Sequence, residues 1–323
     1  TGLTLTNGYT TITGGGGIRI ENSSPRLKNL KISNSVANVG GGGISCDACD
    51  SRITDVNISN NYVTGIGGGI RVFNGSNPEL LGVMIANNTA TLNGGGIAYE
   101  GLPASTIDQK LHRVSIVGNT SSEGVGGGVY LYSSLATVTR SFIQDNSASL
   151  KGGGLSIEWA SELTLENSFV SGNILTSGVQ GSNVYIGKSD QLIGSNEKLI
   201  AMNSNLIDTV ALFDESLFSM YTNGLVKPLL INSIAIGRLD AAIPTSNFDL
   251  NYSYCNDCSN LLTFAANTGN VTGSAGFVDF DKGKFDLADN SLLLSAATES
   301  FTTVANETYH APEMDIRGTQ RPI

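Results

Sequence analysis

Residues 40–44 read Gly-Gly-Gly-Gly-Ile, and runs of this kind recur through the first half of the 323-residue chain. The apolar residues that close the six runs are Ile18, Ile44, Ile70, Ile97, Val129 and Leu155, at successive spacings of 26, 26, 27, 32 and 26 residues. A second signature, an apolar residue followed three positions later by Asn, lies between the runs: Ile58 and Asn61, Ile85 and Asn88, Ile116 and Asn119, Ile143 and Asn146, Val170 and Asn173. The two signatures advance in step, which indicates an internal repeat with a period near 27 residues.

A period of this length suits a coil of three short strands, because each repeat holds short alternating segments such as residues 26–32 (Arg-Leu-Lys-Asn-Leu-Lys-Ile). Leucine-rich repeats are similar in length but need a dense Leu pattern, which is missing. Stacked glycines allow tight turns, and stacked Asn side chains can bond the backbone of the next coil. The repeat therefore predicts an all-β fold, a right-handed parallel β-helix solenoid of about 10 to 12 coils.

One continuous solenoid domain with three stretches is expected. Regular repeats occupy 1–190, irregular coils with loops occupy 191–275, where the period blurs, and a C-terminal cap occupies 276–323. The long step between Ile97 and Val129 indicates an insertion of about five residues, which we assign to a loop at 102–105 (Leu-Pro-Ala-Ser).

Composition limits the function. Charged residues make up only 14% of the chain, and the formal net charge is −10 without a run of Lys or Arg, which argues against a nucleic-acid partner. No segment approaches the roughly 20 apolar residues of a membrane span. The chain starts at residues 1–4 (Thr-Gly-Leu-Thr) without the pattern of a signal peptide, so we expect a piece of a longer polypeptide.

The cysteines form two Cys-x-x-Cys pairs, Cys46 with Cys49 and Cys255 with Cys258. The repeat separates the pairs by about eight coils, or roughly 38 Å, which argues against one shared zinc ion. Local disulfides in short loops are the favoured interpretation, with free thiols or a redox motif as alternatives. Disulfides would place the protein outside a reducing cytosol.

Strand alternation predicts which residues face outward after each glycine run. The first residue after the apolar position gives the ladder Arg19, Ser45, Arg71, Ala98, Tyr130, Ser156, and the third gives Glu21, Asp47, Phe73, Glu100, Tyr132, Glu158. Aromatic faces stack on sugar rings, while Arg and carboxylates bond hydroxyl groups. The predicted carbohydrate-binding residues are Arg71, Phe73, Glu100, Tyr130, Tyr132, Glu158 and Trp159. Alternatively, exposed strands simply favour Tyr and paired charges.

An enzyme is the alternative. Glu100 and Glu158 lie two coils apart, or roughly 10 Å, near the upper separation of an inverting glycosidase pair. Lyase chemistry needs clustered Asp and a basic residue, whereas Arg140, Asp145 and Lys151 are scattered along the sequence. We therefore assign no catalytic residue.

The two histidines, His112 and His310, are interpreted as surface or capping residues rather than as bases. No cofactor or metal site is assigned. Calcium is the one metal that the sequence leaves open, because loop carbonyls with Asp279 and Asp281 could bind it without leaving a motif. Ice binding would need a Thr-x-Thr ladder, which two isolated matches do not supply.

The paired signatures over about residues 1–185 resemble the repeats of chlamydial polymorphic outer-membrane proteins, with Ile or Val where those have Phe before x-x-Asn. The stretches 276–280 (Gly-Phe-Val-Asp-Phe), 283–287 (Gly-Lys-Phe-Asp-Leu) and 315–322 are similar to the choice-of-anchor region of bacterial pectin-lyase-like repeat proteins. This resemblance implies a β-helix and export to the bacterial cell surface, through type IX secretion in bacteroidete members. Family members include adhesins, uncharacterised surface proteins and polysaccharide-cleaving enzymes.

The sequence thus favours a secreted or cell-surface module that binds a glycan or a surface protein without catalysis. A polysaccharide lyase or glycoside hydrolase is the alternative.

Overall fold

The computed structural model describes residues 2–12, 14–101, 106–187, 197–207, 218–222, 228–241, 249–251, 253–257, 270, 277–279, 284–287, 298, 300–302 and 308–310. Regular secondary structure in these residues consists of β-strands, and the long sheets are parallel. The predicted loop at 102–105, residue Cys258, residue Asp281 and the tail at 315–322 lie outside the described residues.

Each regular coil carries strands on four faces, which we number from the glycine run onward. In the coil that begins at Ile44, the strands are Ile44–Asp47 on face 1, Arg52–Thr54 on face 2, Asn57–Ser59 on face 3 and Tyr62–Val63 on face 4. Three strands per coil were expected, and the structure adds the fourth, two-residue strand. It is too short to leave an alternating pattern in the sequence.

The strands of face 1 are Ile18–Glu21, Ile44–Asp47, Ile70–Phe73, Ile97–Glu100, Val129–Tyr132, Leu155–Glu158, Gln180–Ile186 and Phe218–Thr222. Face 2 contains Arg26–Lys28, Arg52–Thr54, Glu79–Leu81, Asp108–His112, Leu135–Thr139, Glu162–Glu166, Lys198–Met202, Leu229–Ile231 and Asp249–Asn251. Face 3 contains Leu3–Thr6, Leu30–Ser33, Asn57–Ser59, Met84–Ala86, Ser115–Val117, Phe142–Gln144, Phe169–Ser171, Asn205–Ile207, Ile234–Ala241 and Tyr254–Asp257. Face 4 contains Tyr9–Thr10, Val36–Ala37, Tyr62–Val63, Thr89–Ala90, Thr120–Ser121, Ser147–Ala148 and Ile174–Leu175.

Parallel pairing continues beyond residue 190, where Ile234–Ala241 pairs with strands of both face 3 and face 1. Face 2 has nine strands in the described residues. Face 1 has eight strands and face 3 has ten, so the described residues complete about eight turns, where about 10 to 12 coils were expected. Two antiparallel pairs follow, Phe277–Asp279 with Lys284–Leu287 and Ser300–Thr302 with Thr308–His310.

The core lies inside the coils and is continuous along the solenoid. The apolar residues that close the glycine runs are stacked in register, as the repeat predicted: Ile44 pairs with Ile70, Ile70 with Ile97, and Ile97 with Val129. These residues are buried and belong to one cluster with the apolar residues of faces 2 and 3. Burial at about 25 cal/mol per Å² of apolar surface is the main force that holds successive coils together.

A ladder of buried asparagines runs parallel to this core at the corner between faces 3 and 4. The ladder consists of Asn61, Asn88, Asn119, Asn146 and Asn173. Nδ2 of Asn119 donates to the carbonyl of Ile85 at 2.9 Å and to Oδ1 of Asn146 at 3.0 Å. Oδ1 of Asn119 accepts from the backbone and side-chain nitrogens of Asn88, at 2.9 and 3.0 Å. The prediction that stacked Asn side chains bond neighbouring coils is confirmed.

The glycine runs and the asparagine ladder share one space. A Cβ atom on Gly69, the last glycine of its run, would lie 2.6 Å from the carbonyl oxygen of Gly96 and 3.1 Å from Nδ2 of Asn88. A Cβ on Gly43 would lie 3.0 Å from Nδ2 of Asn61. In the coils with a ladder Asn, the last glycine of the run therefore has no room for a side chain, because the Asn and the carbonyl of the next coil fill the space.

A second polar spine, which the sequence analysis missed, follows the corner between faces 2 and 3. The backbone nitrogen of Val114 donates to Oγ of Ser141 at 2.9 Å, and that of Ser168 donates to Oγ of Ser204 at 3.1 Å. The same bond joins Ser204 to Ser233 and Ser233 to Ser253, at 3.2 and 3.1 Å. Ser is common everywhere in this chain, so these positions do not stand out without the coil register.

The first Cys-x-x-Cys pair forms a local disulfide between Cys46 and Cys49, with the Cα atoms 5.5 Å apart. Both residues are buried where the chain leaves face 1. Cys255 is also disulfide-bonded. The local disulfide that the sequence favoured is therefore confirmed for the first pair.

Replacing Asn119 by Ala removes bonds to both neighbouring coils and leaves buried backbone groups without partners. We expect the free energy of unfolding to fall by about 2–4 kcal/mol. Asn38 is exposed, and Asn38→Ala should change it by less than about 0.5 kcal/mol. Chemical denaturation, monitored by circular dichroism, measures the free energy of unfolding of both variants. Equal effects of the two substitutions would contradict the role of the ladder.

Gly69→Ala and Gly65→Ala form a matched pair that tests the shared space. The new methyl group on residue 69 meets atoms at 2.6 to 3.1 Å, whereas on residue 65 its nearest neighbours are at 3.6 to 3.9 Å. Gly69→Ala should destabilise the fold by about 1–3 kcal/mol or more. Gly65→Ala should be neutral or stabilise the fold by up to about 1 kcal/mol, because Ala lowers the conformational entropy of the unfolded chain. Thermal unfolding of both variants distinguishes these results, and a tolerated Ala at position 69 would refute the packing argument.

Candidate functional site

The outward side chains of face 1 form a continuous row over four neighbouring coils. On the coil that begins at Ile70, the guanidinium of Arg71 lies over the ring of Phe73, with its carbon 4.5 Å from the ring centroid. The same guanidinium pairs with the carboxylate of Glu100 on the next coil. All three side chains are half-buried, so they present both a flat surface and charged hydrogen-bonding groups to solvent.

Three aromatic rings extend this row across the next two coils. The centroids of Tyr130 and Tyr132 are 6.3 Å apart, and those of Tyr132 and Trp159 are 5.4 Å apart with planes inclined by 39°. Tyr132 and Trp159 are half-buried and present ring surface to solvent. Ring pairs at these distances stabilise each other by about 0.5–1.5 kcal/mol beyond their burial, so the three rings are held in place before a ligand binds.

Two of the predicted binding residues are more buried than the outward ladders indicated. Tyr130 is 6% exposed, because Ile66 and Val125 from the loops before the glycine runs pack over it with Ala98. Glu158 is 1% exposed, and its Oε1 accepts a hydrogen bond from Oγ of Ser156 at 2.9 Å. Both side chains were expected to be exposed on the face, and the structure buries them, as it does Ser45, Ala98 and Ser156 of the same ladders.

Because Tyr130 is buried, its ring is not available for stacking on a ligand, and its hydroxyl group is hydrogen-bonded within the protein. Burial, followed by the carboxylates of Glu158 and Glu100, raises the pKa of the Tyr130 hydroxyl, while a hydrogen bond with Asn93 acts in the opposite direction. The hydroxyl therefore stays protonated well above neutral pH. Tyr132 and Trp159 are the rings left for contact with a ligand.

The backbone is strained at Trp159, at the edge of the row. Trp159 and Ala160 both adopt left-handed conformations, with φ of 57° and 58°. Stacked corner positions on other coils hold Asn22, Asn74 or Ser133 in the same region. Left-handed backbone costs roughly 1–2 kcal/mol for a residue with a bulky side chain and is found where function requires a particular side-chain direction. The left-handed conformation thus belongs to this turn of the coil, and Trp159 carries a bulky side chain at a position where other coils have Asn or Ser.

Two further tyrosines that the sequence analysis did not select lie on face 1 beyond the row: Tyr185, which is fully buried, and Tyr221, which is half-buried. Nζ of Lys151 lies 4.5 Å from the ring centroid of Tyr185 and 3.2 Å from its hydroxyl. Tyr185 stacks on Tyr221 of the following coil with centroids 6.1 Å apart and planes inclined by 5°. The sequence missed them because residues 181–183 read Gly-Ser-Asn, which interrupts the glycine run that marks the strand. The register of Leu155 with Val184 recovers the position.

The proposed catalytic alternative has little support in this geometry. The Glu100 carboxylate is paired with Arg71, and the Glu158 carboxylate is buried. Arg140 and Asp145 lie at corners on either side of face 3, away from Lys151 at the start of face 1. In the part of the chain that the structure describes, no three His, Cys, Asp or Glu side chains are grouped closely enough to hold a metal ion.

His112 lies on face 2, remote from the row. Its Nδ1 is 2.7 Å from Oγ1 of Thr139. Burial, followed by the charges of Arg113 and Arg140, lowers the pKa of the ring, so the imidazole is neutral at neutral pH. This agrees with its interpretation as a surface residue. The side chain of His310 lies outside the described residues.

The parallel coils and their repeated polar ladders define the protein as a β-helix solenoid. A family model described as "Right handed beta helix region" matches residues 2–189, which is more than half of the chain. The chain therefore belongs to the right-handed β-helix family. No curated protein and no solved structure matches it. Across the described ranges, no helix is long and apolar enough to span a membrane.

The strain at Trp159 predicts an unusual response to mutation. Trp159→Gly relieves about 1 kcal/mol of backbone strain and loses a ring contact of similar size, so the free energy of unfolding should change by less than about 1 kcal/mol. Tyr132→Ala loses ring contacts without any relief and should cost about 1–3 kcal/mol. Denaturant titration compares them. A cost for Trp159→Gly equal to that of Tyr132→Ala would show that the backbone is not strained.

Proposed function

We propose that this protein is a secreted or cell-surface β-helix module that binds an extended glycan along face 1 without cleaving it. The observation that carries the proposal is the continuous row from Arg71 and Phe73 to Tyr132 and Trp159, which combines ring surfaces with an ion pair. Four coils at the spacing of neighbouring strands give the row a length of roughly 14 Å. An extended oligosaccharide can contact a row of this length with several of its sugar units.

The chemistry of the row suits sugars in two ways. The inclined rings of Tyr132 and Trp159 offer apolar surfaces for the C–H faces of pyranose rings. Beside them, Arg71 presents hydrogen-bond donors and Glu100 presents acceptors to hydroxyl groups. Because the strands of a β-helix are rigid, little conformational entropy is lost when such a ligand binds. The same surface would accept a carbohydrate on a cell or on a surface protein.

An extracellular location is part of the proposal. The Cys46–Cys49 disulfide is typical of proteins that fold in an oxidising compartment. The Gly-Gly-Gly-Ile and apolar-x-x-Asn signatures support a place among bacterial surface β-helix proteins of the polymorphic outer-membrane or pectin-lyase-like kind. An adhesin that is anchored to the cell through further sequence is the arrangement that this resemblance favours.

Retention on immobilised polysaccharides tests the proposal. Affinity electrophoresis of the intact chain should show retardation by at least one glycan of a plant and marine panel. Tyr132→Ala and Trp159→Gly should each weaken it at least tenfold, since stacking contacts are lost. Phe142→Ala is the control, because Phe142 is an exposed aromatic on face 3 and should not contribute.

Incubation of the same glycans with the protein, with and without calcium, should release no reducing ends and no unsaturated uronate. Product that disappears in Glu100→Gln or Glu158→Gln would contradict the non-catalytic role and support a lyase or hydrolase. Failure of every glycan to retard the protein would contradict glycan binding and favour a protein partner on this face.

A further inference from the structure

Both arginines of face 1 are already paired with carboxylates of the same face. Arg19 pairs with Glu21 at 2.9 Å, and Arg71 pairs with Glu100. Nδ2 of Asn74 donates to Oδ1 of Asp47 at 2.7 Å. On the six regular strands of the face, the outward ladders contain two guanidinium groups and four carboxylates: Arg19 and Arg71, with Glu21, Asp47, Glu100 and Glu158. Lys151 lies at the start of the same face, so three cations face four carboxylates and the face has no surplus of positive charge.

We infer that the glycan bound by face 1 is neutral, built from uncharged hexoses or pentoses rather than from uronates or sulfated sugars; this rests on the proposed function. A hydroxyl group can accept from Arg71 and donate to Glu100 while their ion pair stays intact. An acidic sugar would compete with Glu100 for the guanidinium and leave a half-buried carboxylate without its partner. The carboxylate of Asp47, on the coil before Arg71 and Phe73, would repel it further.

Calorimetric titration of the intact chain with neutral and acidic hexasaccharides tests this inference. Cello-, manno- and laminarihexaose are the neutral probes, and oligogalacturonate and oligoalginate are the acidic ones. At least one neutral probe should bind at least tenfold more tightly than either acidic probe. Glu100→Gln releases the Arg71 guanidinium and should reduce this preference at least fivefold. Glu21→Gln, which releases Arg19 two coils before Arg71, is the matched control and should leave the preference unchanged.

The outcomes separate the two proposals. Tighter binding of an acidic probe, abolished by Trp159→Gly, would overturn the neutral ligand while supporting glycan binding at this face. Binding of neither class would remove both proposals. An unchanged preference in Glu100→Gln would show that the ion pair does not set specificity and would also overturn the inference.

A small cavity lies inside the coils that carry Phe73 and Glu100. Tyr99 and Gln109 line a cavity of about 10 Å³ together with Ser76 and Gly101. The Tyr99 hydroxyl and Oε1 of Gln109 are buried without a hydrogen-bond partner among the described residues, whereas Nε2 of Gln109 donates to the carbonyl of Ser76 at 2.8 Å. Unpaired buried polar groups cost about 1–3 kcal/mol each, and a cavity of this volume holds one water molecule.

We propose that one ordered water occupies this cavity and bonds both Tyr99 and Gln109, which fixes the coil beneath Phe73 and Glu100. Tyr99→Phe should then lower the midpoint of thermal unfolding, because the water loses a partner. Tyr62→Phe, which removes an exposed hydroxyl that bonds Thr91, is the control and should leave the midpoint nearly unchanged. A higher midpoint for Tyr99→Phe, or empty density at this position in a high-resolution crystal structure, would overturn the proposal.

Discussion

The structure depends on one steric relation between two residues of each coil. The side chain of the ladder Asn occupies the space in which the last residue of the glycine run would carry its Cβ, as Gly43 with Asn61 and Gly69 with Asn88 show. From this position, Nδ2 of Asn61 donates to the carbonyl of Ile32 in the preceding coil and to Oδ1 of Asn88 in the next coil. The two signatures keep step along the sequence because both line the same space, whereas the first coil keeps Gly17 beside the smaller Ser35. In the coils that carry both residues, this relation supports the strand register and hence the outward ladders.

The way the ladder ends supports this account. The coil after Asn173 has Asn183 at the position of the third glycine, and Nδ2 of Asn173 donates to its Oδ1 at 2.9 Å. In the first coil, Ser35 stands in place of the ladder Asn, and its backbone nitrogen donates to Oδ1 of Asn61 at 3.0 Å. A backbone nitrogen at one end and a side-chain oxygen at the other complete the hydrogen bonds of the ladder, so its buried groups stay paired.

The sequence predicted the coil register, the core ladder at Ile44 and Ile70 and the asparagine ladder, because each repeats at a fixed spacing. It also selected Arg71, Glu100, Tyr132 and Trp159 for one face. Burial of Tyr130 was not predictable, since the loops that cover it show no alternation. Tyr185 was missed because the glycine run before it is interrupted. Repetition thus reveals the scaffold, whereas contacts between irregular segments, which determine the exposed surface, require the three-dimensional structure.

The most direct test of glycan binding at face 1 is the intrinsic fluorescence of Trp159, the only tryptophan in the chain. Its ring lies against Tyr132 at the edge of the row. Titration with a neutral hexasaccharide that the protein retains should shift the emission to shorter wavelength in a saturable manner, because a stacked sugar excludes water from the indole. Emission that stays constant while calorimetry shows saturation by the same sugar would place the ligand elsewhere and contradict the account.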